Sequence, residues 1–163
     1  GSSTTAKFLA EKLELNYFSA GEYFKSHAEG KSTEKAVNFW KTEKANSKEF
    51  HDNLENMYIE KAKKGDIVID AKLGVHFLKD IATLRVWLKA PEDVRNERYA
   101  EKDDISLEEA SELLQKKQKL EQENYKRLYG FDLFDQEQEA DLVIDTSDKT
   151  PEDIVDIILK ELK

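Results

Sequence analysis
The chain has 163 residues, a formal net charge of −9, 37% charged residues and no cysteine. That length is enough for one domain with a real core, and the lack of cysteine rules out a disulfide framework and suits a reducing cytoplasm. The acidic balance argues against broad nucleic-acid binding, and no apolar run approaches the ~20 residues of a membrane span, so neither nucleic acid nor membrane is an expected partner.

In chain order, Ser3 or Thr4 is placed to cap a helix running to Leu13, with Phe8, Leu9 and Leu13 on its apolar side. "NYFSAG" reads as a short strand ending in a turn. Glu22 to Lys64 is helical in pattern, broken near Gly30 to Ser32 and at Asn46-Ser47, with Phe39 and Trp40 as core candidates and Gly65 as the stop. "IVIDA" (67–71) is an apolar run suited to a strand buried on both faces. A short helix through Phe77 follows, then a second such strand, "LRVWLKA", with Trp87 in the core. Pro91 opens a helix. Ser106, with Glu109 three residues later, caps a long charged helix that Gly130 ends. "ADLVIDTS" is a third apolar strand. Thr150-Pro151 starts a closing helix carrying Ile154, Ile157, Ile158 and Leu162.

Strands alternating with helices, several of them apolar throughout, predict an α/β fold: a parallel sheet covered by helices on both faces. We expect one domain over residues 1–163, with helical excursions at 22–64 and 91–129. In such sheets ligands sit beyond the carboxyl ends of the strands. Those ends are Ser19-Ala20-Gly21, Asp70-Ala71-Lys72, Lys89-Ala90-Pro91 and Asp145-Thr146-Ser147.

Asp70 at a strand end suits the water shell of Mg²⁺ beside a phosphate loop; its plain alternative is a cap for the helix that follows. Lys72 is placed to meet a phosphate or is an ordinary solvated lysine. Ser19 and Gly21 allow close approach of a ligand at a helix start, or form a simple strand-to-helix turn. His27, His51 and His76 lack ligand spacing and are assigned surface or packing roles. Arg98 and the lysines Lys102, Lys116, Lys117 and Lys119 suit a lid over ATP, or a solvated hairpin.

Taken in order, "STTAKFLAEKLELNYFSAGEYF", "AKKGDIVIDAKL", "LRVWLKAPEDVRNERYAEKDDISLEEA", "YKRLYGFDL" and "ADLVIDTS" resemble the archaeal-type cytidylate kinases, within the adenylate-kinase-like nucleoside monophosphate kinases. The resemblance implies a five-stranded parallel sheet with a monophosphate-binding excursion and a lid, and the reaction ATP + CMP → ADP + CDP with Mg²⁺. It matches Gly1-Ser2-Ser3-Thr4 to the end of a phosphate-binding loop in which Ser2 stands in the usual lysine place and Ser3 offers the Mg²⁺ hydroxyl. It also expects a strand and a Gly-rich stretch before Gly1. These 163 residues alone are therefore expected to transfer little phosphoryl, and the sheet to be interrupted between "IVIDA" and "LRVWLKA".

The same resemblance implies a residue-by-residue site. Gly1, Ser2, Ser3, Thr4 and Arg98 would bind ATP, and Ser3 and Asp70 the metal. Ser19, Gly21, Lys25, Tyr58, Asp70 and Lys72 would hold the acceptor. Asp70, Arg98, Lys102 and Lys117 would act in catalysis. Several family arginines are replaced: by Lys25, Lys72, Lys102 and Lys117, by the stretch Asn56-Met57-Tyr58, and by Asn124. Lysine keeps the charge but loses the planar fork that fits phosphate, and asparagine loses the charge. Two readings follow: a monomeric pyrimidine-monophosphate kinase acting on small nucleotides, or a weakened remnant that binds nucleotide or a partner.

Overall fold
The structure, a computed structural model, describes residues 2–27, 38 and 41–163. Gly1, Phe39 and Trp40 and the break expected near Gly30 fall outside the described residues. The elements are α1 (Ser2–Leu13), β1 (Asn16–Ser19), α2 (Ala20–Ser26), α3 (Glu43–Asn46), α4 (Lys48–Lys64), β2 (Ile67–Asp70), α5 (Gly74–Phe77), β3 (Val86–Lys89), α6 (Glu92–Asp103), α7 (Leu107–Tyr129), a 3-10 turn (Leu133–Asp135), α8 (Gln136–Glu139), β4 (Leu142–Asp145) and α9 (Pro151–Glu161).

Local chemistry accounts for many of the boundaries. The Glu109 N–H donates to Ser106 Oγ at 3.1 Å, opening α7. At its far end Gly130 takes φ +78°, the left-handed conformation that glycine adopts without a Cβ penalty. Thr150 and Asp153 form a full capping box before α9: the Asp153 N–H donates to Thr150 Oγ1 at 3.1 Å, and the Thr150 N–H donates to Asp153 Oδ2 at 2.9 Å. α1 starts two or three residues earlier than expected, at Ser2, so Ser3 and Thr4 lie inside its first turn and do not cap it.

The chain divides into two compact units. The first comprises Gly1–Gly21, Glu55–Ala90 and Gln136–Lys163 and holds the four strands found among the described residues. β1 pairs with β2 and β3 with β4, both parallel, in registers Ser19↔Asp70 and Lys89↔Asp145. β2 and β3 are not paired, so the strands form two two-stranded sheets, interrupted between the two runs where a break was expected. α1 packs on β2 and α9. Leu9 of α1, Leu84 and Val86 surround a buried cluster of Ile144, Ile154 and Ile158.

This pairing corrects the expectation of strands buried on both faces. Every residue of β2 is only half-buried, and so is Trp87 on β3. An apolar strand reaches full burial when neighbours flank it in the sheet and helices cover its faces; β2 and β3 each lack one flank. Leu162, expected on the apolar side of α9, is 39% exposed because it lies past the helix end.

The second unit comprises Glu22–Leu54 and Pro91–Asp135. Its core is aromatic: Phe24 meets Phe50 edge-on at 5.8 Å, and His51 meets Tyr125 edge-on at 5.8 Å. Arg127 Nη2 on α7 donates to the Asn46 carbonyl at 2.6 Å and to Asn124 Oδ1 at 2.9 Å. Tyr129 Oη donates to Asp52 at 3.1 Å. Arg95–Gln118 and Gln115–Glu92 hydrogen bonds join α6 to α7.

Candidate active site
Three parts of the first unit meet at the carboxyl ends of β1 and β2. The parallel register sets Ser19 beside Asp70, and the Ser3 hydroxyl in the first turn of α1 donates to Asp70 Oδ2 at 2.7 Å. Sixty-seven positions separate that pair in sequence. Asp70 therefore does not serve as a helix cap: α5 begins after Leu73 with no side-chain cap bond. A strand-end carboxylate and a helix-start hydroxyl converge where helix amides favour an anion.

The donor chemistry fits Mg²⁺. Asp70 and Ser3 offer hard oxygen ligands, and Mg²⁺ keeps several waters while taking one or two carboxylates plus substrate phosphate. Among the described residues no group of three or more His, Cys, Asp or Glu is gathered as a cage for a metal of its own.

Around this pair, Ser19 is buried and Gly21 is exposed at the start of α2. A Cβ at Gly21 would meet Ser19 Oγ at 3.7 Å, an ordinary contact, so packing by itself does not require glycine there. Lys72 is exposed on the turn after β2. Tyr58 is fully buried on α4, with its hydroxyl hydrogen-bonded to buried Glu55. Tyr58 thus enters the wall of the first unit and does not present its hydroxyl to solvent.

The other strand ends are satisfied from within. Lys89 pairs with Glu137 at 2.7 Å, which raises its pKa above the ordinary lysine value. Asp145 accepts from the Ser147 hydroxyl and N–H, which hold its carboxyl below the usual range.

The remaining expected residues lie in the second unit. Lys25 is half-buried on α2, Arg98 is half-buried on α6, and Lys102 is exposed one turn later. Lys117 on α7 lies 3.8 Å from the buried carboxylate of Glu121. Asn124 is buried, with Nδ2 donating to the Leu120 carbonyl and Oδ1 accepting from Arg127. Sequence patterning missed Gln136, which is fully buried beside the turn after β2. A lone glutamine in an acidic, polar stretch carries no periodic or motif signal.

A strand-end carboxylate beside a helix-start hydroxyl, on parallel strands joined through helices, defines a phosphate-handling α/β protein. Residues 1–148 match the family described as "Cytidylate kinase-like family", and the chain belongs to it. Relatives include the cytidylate kinases of Ignicoccus hospitalis (35% identical, covering 99% of this chain and 92% of that protein), Methanopyrus kandleri (34%, 90% and 79%) and Sulfolobus acidocaldarius (34%, 98% and 86%). The crystal structure of an uncharacterized protein from Eubacterium ventriosum shares the fold, with a TM-score of 0.71 at 17% identity over 98% of this chain and 90% of that one. The protein is a nucleoside monophosphate kinase, and kinases of this family take ATP as co-substrate. Among the described residues no helix is long and apolar enough to cross a membrane.

Proposed function
We propose that the protein transfers the γ-phosphoryl group of ATP to CMP in a Mg²⁺-dependent reaction, as a cytoplasmic monomer built as a single kinase domain. The observation that carries this reading is the Ser3–Asp70 hydrogen bond at the carboxyl ends of β1 and β2. Ser3 and Asp70 would hold Mg²⁺, which when bound neutralises charge on the phosphates of ATP. Gly1, Ser2, Ser3 and Thr4 would bind those phosphates. Ser19 and Gly21 border the acceptor, Lys25 and Lys72 meet its phosphate, and Tyr58 stiffens the α4 wall behind it. Arg98, Lys102 and Lys117 neutralise charge on the transferring group. No covalent intermediate is required, because positioning and fixed charge do the catalysis.

Lys117 must leave Glu121 to act, so turnover is expected to be slow for the family. The test is a coupled ADP-release assay with ATP and CMP, UMP, dCMP or AMP, with Mg²⁺ or with EDTA. Preferred turnover of CMP, abolished by EDTA, is the expected result. Measurable nucleotide binding without turnover in the full-length protein would replace this reading with that of a nucleotide-binding remnant.

A further inference from the structure
The turn after β2 has an unusual hydrogen-bond arrangement. α5 is four residues long and has no side-chain cap. A helix that short does not sustain itself. The Phe77 N–H donates to the Leu73 carbonyl and the Leu78 N–H to the Gly74 carbonyl, as an α-helix requires. His76 lies in the first turn of α5, where a backbone N–H has no acceptor within the helix. Instead the His76 N–H donates to Gln136 Oε1 at 3.1 Å, and Gln136 Nε2 donates to the Lys72 carbonyl at 2.9 Å. One side-chain amide thus bridges the two backbone groups, and it comes from α8, 60 positions further along the chain from His76.

We propose that Gln136 is a positioning residue for the monophosphate, because its amide bridges the His76 N–H and the Lys72 carbonyl and so fixes the turn that carries Lys72. The inference rests on the role given to Lys72 above. The bridging amide separates the His76 nitrogen from the Lys72 oxygen by its own width. Without it the two groups close on each other, α5 winds back by one residue, and the Lys72 side chain is redirected on the helix surface. The alternative is to leave both groups without this partner at a part-buried site, which carries a cost. Asp70 is less affected, since the β1–β2 ladder and Ser3 fix it independently.

The rest of the neighbourhood is held by other bonds. Glu137 on α8 pairs with Lys89, and Glu139 lies 3.4 Å from the His76 ring. Arg85 donates to the Val75 carbonyl at 2.9 Å and pairs with Asp141. α8 thus keeps two ion pairs that do not involve Gln136, and a substitution there probes the turn.

The test is titration calorimetry of the full chain with CMP and with ATP. Gln136→Met keeps the volume and removes both bonds. We expect about a tenfold loss of CMP affinity, equivalent to ~1.4 kcal/mol, with ATP affinity within about twofold. Gln136→Glu keeps an acceptor for the His76 N–H but sets an oxygen against the Lys72 carbonyl; its CMP loss should be at least as large, and it carries the test if the Met variant does not fold. Gln138→Met, at an exposed position of the same short helix, should change neither affinity.

Because Gln136 acts through Lys72, Gln136→Met should add little to Lys72→Ala in a double-mutant cycle, whereas a merely structural residue would add its full effect. Equal losses for CMP and ATP, or none for either, in folded Gln136 variants would overturn the inference while leaving a CMP-selective Lys72→Ala intact. If Lys72→Ala itself spares CMP binding, the role of Lys72 fails first and this inference with it.

Discussion

Replacing Lys72 with alanine isolates the acceptor side of the site. Lys72 is exposed on the turn after β2, so the substitution removes a charge without opening a cavity. A unit charge pair at about 4 Å in water is worth about 1 kcal/mol, and a monophosphate near neutral pH carries about −1.5 to −2, which gives a ceiling near 2 kcal/mol. Salt screening and the mobility of an exposed side chain reduce this to about 1–2 kcal/mol, a loss of CMP affinity of about five- to thirtyfold. ATP affinity should change by less than about twofold, because Lys72 is assigned to the other phosphate. Calorimetric titrations of wild type and Lys72→Ala with each nucleotide, at low and high salt, measure this directly. The wild-type advantage for CMP should shrink as salt rises. Loss of both affinities to the same degree, or an unchanged CMP affinity, refutes the assignment.

Thr150→Ala removes half of the capping box on α9 and should cost about 1 kcal/mol, lowering Tm by about 2–4 °C in a thermal melt; no change would mean that the core around Ile154 and Ile158 alone fixes the helix start. His51 donates from Nε2 to the Ala45 carbonyl at 2.5 Å, and burial, partly opposed by that bond, holds its pKa below the ordinary 6.5. Between 6.5 and the lowered value the unfolded chain binds the extra proton, so this contribution to stability is present above 6.5 and is lost as pH falls through that window. The Tm drop from pH 7 to 5.5 should therefore be smaller in His51→Gln, and equal drops would remove His51 from the account. Asn124→Arg places a second cation beside Arg127 at a buried position; it should destabilise by about 2–3 kcal/mol in urea without speeding turnover, and a faster enzyme of unchanged stability would contradict the role seen for Asn124.

The sequence by itself determined the elements and the places where chemistry was to be sought. Ser106, Gly130 and Thr150 act within one turn of themselves, so the boundaries they set follow from local bonds alone. Asp70 at the end of an apolar run was legible for the same reason, since four consecutive residues define the strand and its end. Membership of the kinase family was legible too, because it rests on an ordered set of local motifs and not on any one contact.

Tertiary structure decided what those motifs touch. It set the Ser3 hydroxyl, and not a helix amide, against Asp70. It left β2 and β3 unpaired with each other, so apolar strands that read as fully buried are half-exposed. It buried Asn124 against Arg127 and hid the Tyr58 hydroxyl on Glu55. It placed the Gln136 amide as a bridge between the His76 N–H and the Lys72 carbonyl. In each case the partner lies elsewhere on a helix face or in a distant segment, and side-chain hydrogen bonds of that kind leave no period in the sequence. Apolar periodicity reports which face is covered; it carries no record of which polar group meets which once the chain has closed.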